Sequence, residues 1–211
     1  MRLLKRPFFP ASILIKSRQT MAGFLMDKLL LRKNAIARRK SLDPAVTQKM
    51  SLEIVNLVKD FISQRKFDQV FLYSPMVGEV DLTDLLSTGL SLFAFPKVNG
   101  SDMDFFGVKA TSELFKQSFG ILEPRGLGGL AIPTAKTLIL VPSLLLDRQG
   151  NRVGLGKGYY DRYLNKVKTP LTLGVAFDEF VVESLPLEPW DIPLGGYVTE
   201  RKLEILNQIH K

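Results

Sequence analysis

Cysteine is absent from the 211 residues, and histidine occurs once, at His210. The first absence excludes disulfides, thiol nucleophiles and thiolate zinc sites. The second argues against hydrolase triads, because a Ser-His-Asp arrangement needs its imidazole fixed in a packed site and a penultimate residue normally frays. Long apolar runs are missing too, and none reaches the roughly 18 residues that a membrane-spanning helix requires. Acids are scarce only at the front of the chain. Residues 1–40 hold 11 Lys/Arg against Asp27 alone, a net +10, whereas residues 41–211 hold 18 against 20 acids, a net −2. The overall charge of +8 therefore belongs to the leading segment, and the nearly neutral body is not that of a nucleic-acid binder.

What remains for catalysis is Lys, Arg, Asp, Glu, Tyr and a hard cation held by oxygen, a set suited to phosphoryl transfer. Hydrophobic residues make up 45% and charged residues 24%, which is ordinary globular usage. The length suits one domain, expected over residues 27–211. Residues 1–26 carry Arg2, Lys5, Arg6, Lys16 and Arg18 with no acid, and are broken by Pro7 and Pro10. Their apolar stretch, Ile13 to Ile15, is too short for a secretory signal. They read as a disordered extension or a start codon placed early, with Met21 and Met26 both available, and an Arg-rich transit peptide is the alternative. The expectation is a cytoplasmic monomer with no membrane partner.

The string from Lys28 to Lys40 consists of good helix formers, and Lys28, Arg32 and Arg39 recur near the 3.6-residue period on one face. Asp43-Pro44 supplies an N-cap followed by Pro at the first helical position, opening a second helix with Ile54, Leu57, Val58 and Phe61 as its buried stripe. Beyond Lys66, short apolar runs at Val70–Tyr73, Leu90–Phe95, Leu138–Val141 and Leu171–Phe177 predict strands. They are too continuous for a half-exposed antiparallel sheet, and helical candidates at Leu82–Leu86, Glu113–Gln117 and Tyr159–Val167 lie between them. The pattern predicts an α/β fold: three layers, a mostly parallel central sheet with helices on both faces, Rossmann-like, with ligands beyond the carboxyl ends of the strands.

After the run ending at Val141-Pro142, residues 147–152 read as a tight turn, and Gly154, Gly156 and Gly158 then alternate with single residues. Glycines so spaced let backbone amides approach an anion, and a helix starting near Tyr159 would aim its positive end at the same point. The segment is neither a Walker loop, since Asn151 stands five before Gly156 and Gly158 follows Lys157, nor a G-x-G-x-x-G fingerprint. A Gly-rich turn preceding a helix also fits the pattern. Arg152, Lys157 and Asp161, one helical turn beyond Lys157, bring two cations and a carboxylate able to hold Mg²⁺ into the same ten residues.

From Lys28 to Glu200 the sequence resembles the 5-formyltetrahydrofolate cyclo-ligases, or methenyltetrahydrofolate synthetases. The likeness rests on Lys28 and Arg32 in the first helix, on Tyr73-Ser74-Pro75-Met76-Val77-Gly78-Glu79-Val80-Asp81, on Met103-Asp104-Phe105, on Gly120-Ile121-Leu122-Glu123-Pro124, and above all on Asp147-Arg148-Gln149-Gly150-Asn151-Arg152 followed by Gly154-Leu155-Gly156-Lys157-Gly158-Tyr159-Tyr160-Asp161-Arg162. The resemblance implies closure of 5-formyltetrahydrofolate to 5,10-methenyltetrahydrofolate with ATP and Mg²⁺, releasing ADP and phosphate. In that mechanism the formyl oxygen takes the γ-phosphoryl group, N10 attacks the activated carbon, and phosphate leaves.

By the same resemblance, Lys28, Arg32 and Arg152 contact the ATP phosphates, and Gly154, Gly156, Lys157, Gly158, Tyr159 and Tyr160 form the nucleotide loop. Asp161 is the Mg²⁺ ligand. Ser74, Glu79, Leu155, Lys157 and Tyr159 face the folate, and Lys157, Arg152 and Glu79 carry the catalysis. Taken singly, Lys28 and Arg32 also fit a solvated helix face, and Glu79 fits an ordinary turn acid. Three positions depart from the family: Leu155, where Arg, Lys or an aromatic is frequent; Ser143, often Gly; and Gly195, commonly an Asp that helps bind metal. With Gly195, the second metal ligand is open between Asp191 and water. Two other readings stand beside the cyclo-ligase: a paralogue on the same scaffold spending ATP on a different substrate or lacking turnover, and a nucleic-acid binder acting through its basic leader.

Overall fold

The computed structural model describes residues 21–117, 121–167 and 170–206, with side chains described from Lys28 onward. The leader up to residue 20, Gly120 and His210 lie outside the described residues. Helix α1 (Met21–Lys40) starts seven residues before the Lys28 boundary and ends on Arg38, Arg39 and Lys40, where cations complement the helix dipole. Its buried stripe is Lys28, Leu31, Ala35 and Arg39, so a cation stands at each end of an apolar face. Helix α2 (Pro44–Arg65) opens as its sequence predicts, with the Asp43 carboxylate accepting from the Ala45 amide at 2.8 Å and Pro44 in the first turn. Its buried face is Ser51, Ile54, Val55, Val58 and Ile62. Leu57 and Phe61, expected in that stripe, are only half-buried, because the helix is rotated toward Val55 and Ile62.

The chain continues through β1 (Gln69–Phe71), a 3₁₀ turn at Thr83–Thr88, β2 (Leu92–Asn99) and β3 (Asp102–Gly107), then β4 (Leu114–Lys116) and β5 (Leu122–Pro124). There follow β6 (Thr137–Pro142), β7 (Leu145–Asp147), β8 (Arg152–Val153), helix α3 (Tyr159–Lys166), β9 (Leu171–Val175), β10 (Val181–Val182), β11 (Gly196–Val198) and β12 (Leu203–Ile205). Two helical expectations are corrected. Leu82–Leu86 forms only the 3₁₀ turn, and Glu113–Gln117 is β4, which pairs antiparallel with β5. Windows of five residues are too short to sustain a helix unaided, and cross-strand pairing of Leu114 with Pro124 decides the outcome.

The central sheet has the order β12-β11-β9-β6-β1-β2-β3. The five inner strands are parallel, and β12 and β3 add antiparallel edges. Leu138 to Val141 are all fully buried, so both faces of β6 are covered, as a parallel sheet requires. Val70, Phe71 and Leu72 form the same kind of run beside them. The chain proceeds from β1 outward to β2 on one side and from β6 to β9 and β11 on the other. Beyond the carboxyl ends of β1 and β6 the connections diverge, which opens a crevice at that point. The segments leaving it are Leu72–Val80 after β1 and the stretch from Ser143 to α3 after β6.

Candidate active site

The turn after β7 is built around one carboxylate. Asp147, almost wholly buried, accepts at Oδ1 from the Gln149 and Asn151 amides, both at 2.9 Å, and at Oδ2 from Asn151 Nδ2 at 2.9 Å and the Leu185 amide at 3.1 Å. With its acceptors so filled, Asp147 shapes the turn and is not a reacting group. Gly150 also lies against residue 194: its carbonyl accepts from the Leu194 amide at 2.9 Å. The segment 185–194 is therefore strapped at both ends to the 147–151 turn.

The turn delivers Arg152 into the interior and then releases the glycine loop toward solvent. Gly156 and Gly158 have φ of +94° and +67°, conformations that other residues reach only with strain. A Cβ on Gly156 would lie 3.5 Å from the Arg32 guanidinium, so the loop backbone and that cation are close neighbours. Arg32 Nε donates to the Gly154 carbonyl at 3.1 Å. Leu155 and Lys157 are exposed on this loop, and Lys157 makes no ion pair among the described residues.

Helix α3 is held to the sheet by aromatic contacts. Phe105 on β3 stacks on Phe71 at 4.6 Å between ring centroids and meets Tyr163 at 5.0 Å and Tyr160 edge-on at 6.4 Å. Tyr159 donates to the Gly100 carbonyl at 3.3 Å, and Arg162 donates twice to the Ser101 carbonyl, at 2.9 and 2.6 Å. These anchors fix the start of the helix, and so fix Asp161. Burial, reinforced by the Glu79 charge, pushes the Tyr160 phenol far above its ordinary range despite Arg152, leaving a neutral hydroxyl, buried and without a partner among the described residues.

Cations and carboxylates interlock around this loop. Arg152 donates to Asp161 Oδ1 at 2.7 Å, with the guanidinium 5.8 Å from the centre of the Tyr160 ring. The Ile192 amide reaches the same oxygen at 3.5 Å. Lys28, which is buried and not on a solvated face, pairs with Glu188 at 2.7 Å and with Asp191. Glu188 and Asp191 bracket a turn in which the Asp191 amide donates to the Glu188 carbonyl at 3.0 Å. Position 195 is occupied otherwise: its amide donates to Thr172 Oγ1 at 2.9 Å and its carbonyl accepts from Leu206. Asp191, not residue 195, is thus the strap position that stands beside Lys28 and next to the Asp161 contact.

On the other side of the crevice, Ser74 is buried and its Oγ accepts from the Leu122 amide at 3.3 Å. Glu79 is paired with Arg39 Nη1 at 3.0 Å and caps the Met76 amide at 3.1 Å. The structure therefore brings Lys28, Arg32, Arg152 and Asp161 together around the glycine loop, and sets Glu79 and Ser74 on the neighbouring β1 exit. Sequence reasoning assigned no role to Glu188 or to the contacts of Arg39. The turn-forming Glu188-Pro189-Trp190-Asp191 was the available sign of the former, and a third cation at helical spacing was the sign of the latter.

Residues 25–200 match the sequence profile described as the 5-formyltetrahydrofolate cyclo-ligase family. The chain belongs to that family. Its relative from Escherichia coli K12, named 5-formyltetrahydrofolate cyclo-ligase, is 28% identical over 175 residues, 79% of this chain and 96% of the relative. One from Arabidopsis thaliana, named as mitochondrial, is 23% identical and covers 92% of this chain and 81% of the relative. The solved structure of 5,10-methenyltetrahydrofolate synthetase from Aquifex aeolicus superposes with a TM-score of 0.76 at 35% identity, covering 87% of this chain and 95% of that one. By the names of these relatives the cyclo-ligase family is one of ligases and synthetases. No helix among the described residues is long and apolar enough to cross a membrane.

Proposed function

We propose that this cyclo-ligase family member converts 5-formyltetrahydrofolate to 5,10-methenyltetrahydrofolate with ATP and Mg²⁺, releasing ADP and phosphate. The observation that carries the reading is the convergence of Lys28 and Arg32 from α1 with Arg152, from more than a hundred residues later, around the Gly154–Gly158 loop at the point where the sheet order reverses. Such a cradle suits a triphosphate: backbone amides approach closely, and buried cations neutralise charge without reorganising. Arg152 is bound to Asp161 through one amino group while its Nε is buried with no partner among the described residues, so the protein does not saturate this guanidinium. Lys157, exposed between two glycines, would follow the transferring phosphoryl group.

The carboxylates fit Mg²⁺. Asp161 accepts from the amide of Ile192, the residue after Asp191, and Glu188 stands beside Asp191 on Lys28; among the described residues these acids do not form a three-ligand cluster. Asp161 and Asp191 would hold Mg²⁺ together with water and substrate phosphate oxygens, and the ion would supply neutralisation of the phosphate charge. Glu79, Ser74, Leu155 and Tyr159 line the folate side. Phosphoryl transfer to the formyl oxygen and attack by N10 require positioning and charge stabilisation more than a side-chain nucleophile, consistent with a chain lacking cysteine and holding its one histidine at position 210.

Residues 27–211 act as one domain in this reading, as a cytoplasmic monomer without nucleic acid or membrane partners. The plant relative's mitochondrial name and the basic leader make an organelle the alternative, and mass spectrometry of the native N-terminus decides it. The activity itself is tested by incubating purified protein with 5-formyltetrahydrofolate, ATP and Mg²⁺ and following the methenyl product's near-ultraviolet absorbance. Absence of product with ATP binding retained would instead indicate a paralogue acting on another substrate.

A further inference from the structure

Arg39 is the last cation on the buried stripe of α1, and only 6% of its side chain is exposed. Nη1 donates to Glu79 Oε1 at 3.0 Å, Nη2 donates to the Ser143 carbonyl just beyond β6, and the guanidinium lies 5.4 Å from the centre of the Phe180 ring. Nε is buried without a partner. The β1 exit is moulded to this helix: Gly78 has φ +76°, and a Cβ there would fall 2.9 Å from the Arg39 carbonyl oxygen. The other Glu79 oxygen caps the Met76 amide, and the Glu79 amide closes the same turn on the Met76 carbonyl at 2.9 Å. One guanidinium thus ties together the turn after β1, the exit of β6 and the helix bearing Lys28 and Arg32.

Packing does not account for this arrangement, since a buried ion pair with an orphaned donor adds little stability over an apolar residue of similar volume. We propose that Arg39 is a positioning residue that holds the Glu79 carboxylate in its orientation toward the folate. The proposal rests on the reading of Glu79 as the acid that faces the folate. Arg39 itself touches neither substrate.

The test is steady-state kinetics on Arg39→Met, Arg39→Lys, Glu79→Gln and the Arg39→Met/Glu79→Gln double variant, with thermal melts alongside. Arg39→Met is expected to raise the KM for 5-formyltetrahydrofolate about ten-fold or more while the KM for ATP stays within about two-fold, and Arg39→Lys to recover part of the loss. The double variant should be no worse toward folate than Glu79→Gln alone, because both changes remove one interaction. A raised folate KM in Glu79→Gln with an unchanged one in Arg39→Met overturns the role of Arg39, as does an equal rise in both Michaelis constants. If Glu79→Gln leaves the folate KM at the wild-type value, it is the reading of Glu79 that fails. Should Arg39→Met not fold, Arg39→Lys carries the test by the same split.

Discussion

Lys28 and Asp191 stand 163 positions apart in the chain, and an ion pair joins them inside the site with Glu188 as a second acceptor. The ammonium that the nucleotide reading assigns to phosphate is thereby held in place by the strap. Replacing it strands two carboxylates.

Lys28→Met is therefore expected to act twice. Breaking a largely buried pair from one side costs about 3 kcal/mol, and the KM for ATP should rise about ten-fold or more. Urea unfolding and ATP titration measure the two effects separately. A variant of wild-type ATP affinity would remove Lys28 from the nucleotide site while leaving its structural role.

Asp161→Asn and Asp191→Asn should each raise the Mg²⁺ concentration needed for half-maximal activity steeply. Magnesium binds through a small number of hard oxygens, so loss of one carboxylate is felt directly. An unchanged Mg²⁺ titration in either variant would exclude that residue as a ligand.

Lys157 is exposed on a loop of glycines, so Lys157→Ala should melt like the wild-type protein. If the ammonium stabilises the transferring phosphoryl group, kcat should fall about a hundred-fold or more. Wild-type turnover would refute the role.

Phe105 is fully buried and joins Phe71 on β1 to Tyr160 and Tyr163 on α3. Phe105→Ala is expected to destabilise the fold by about 3–5 kcal/mol, and to weaken catalysis as well, since α3 carries Asp161. Chemical denaturation gives the first quantity. A loss under 1 kcal/mol would show that α3 is held by other contacts.

Glu200 accepts from the Asp178 amide at 2.8 Å, and burial holds its carboxyl above the ordinary value of 4.5. The folded state then binds more protons than the unfolded state, so this group's contribution to stability declines as pH rises through its folded value. Glu200→Gln, which keeps the acceptor oxygen, should raise the melting temperature at pH 7. That advantage should vanish below the ordinary carboxyl value, and melts across pH 3 to 8 check it.

Much of the fold is legible in local pattern. Asp43-Pro44 starts α2 because the cap and the proline each act within one turn, and the run Leu138–Val141 announces a strand buried on both faces. The short elements are not legible. The β4–β5 hairpin depends on pairing Leu114 with Pro124, and the rotation of α2 that buries Val55 and Ile62 depends on its neighbours.

The sequence by itself determined the available chemistry and the elements near the site: no thiol, a single histidine at position 210, cations at helical spacing in α1, and a glycine loop followed by a helix bearing Asp161. Those are properties of composition and of residues within a few positions of one another. Tertiary structure alone decided which charges meet. That Lys28 is clasped by Glu188 and Asp191, that Arg152 faces Asp161, and that Arg39 grips Glu79 follow from the reversal of strand order between β1 and β6, which places α1, the strap and both strand exits around one crevice. Ion pairing acts over a few ångströms in space, and spacing along the chain does not reveal it.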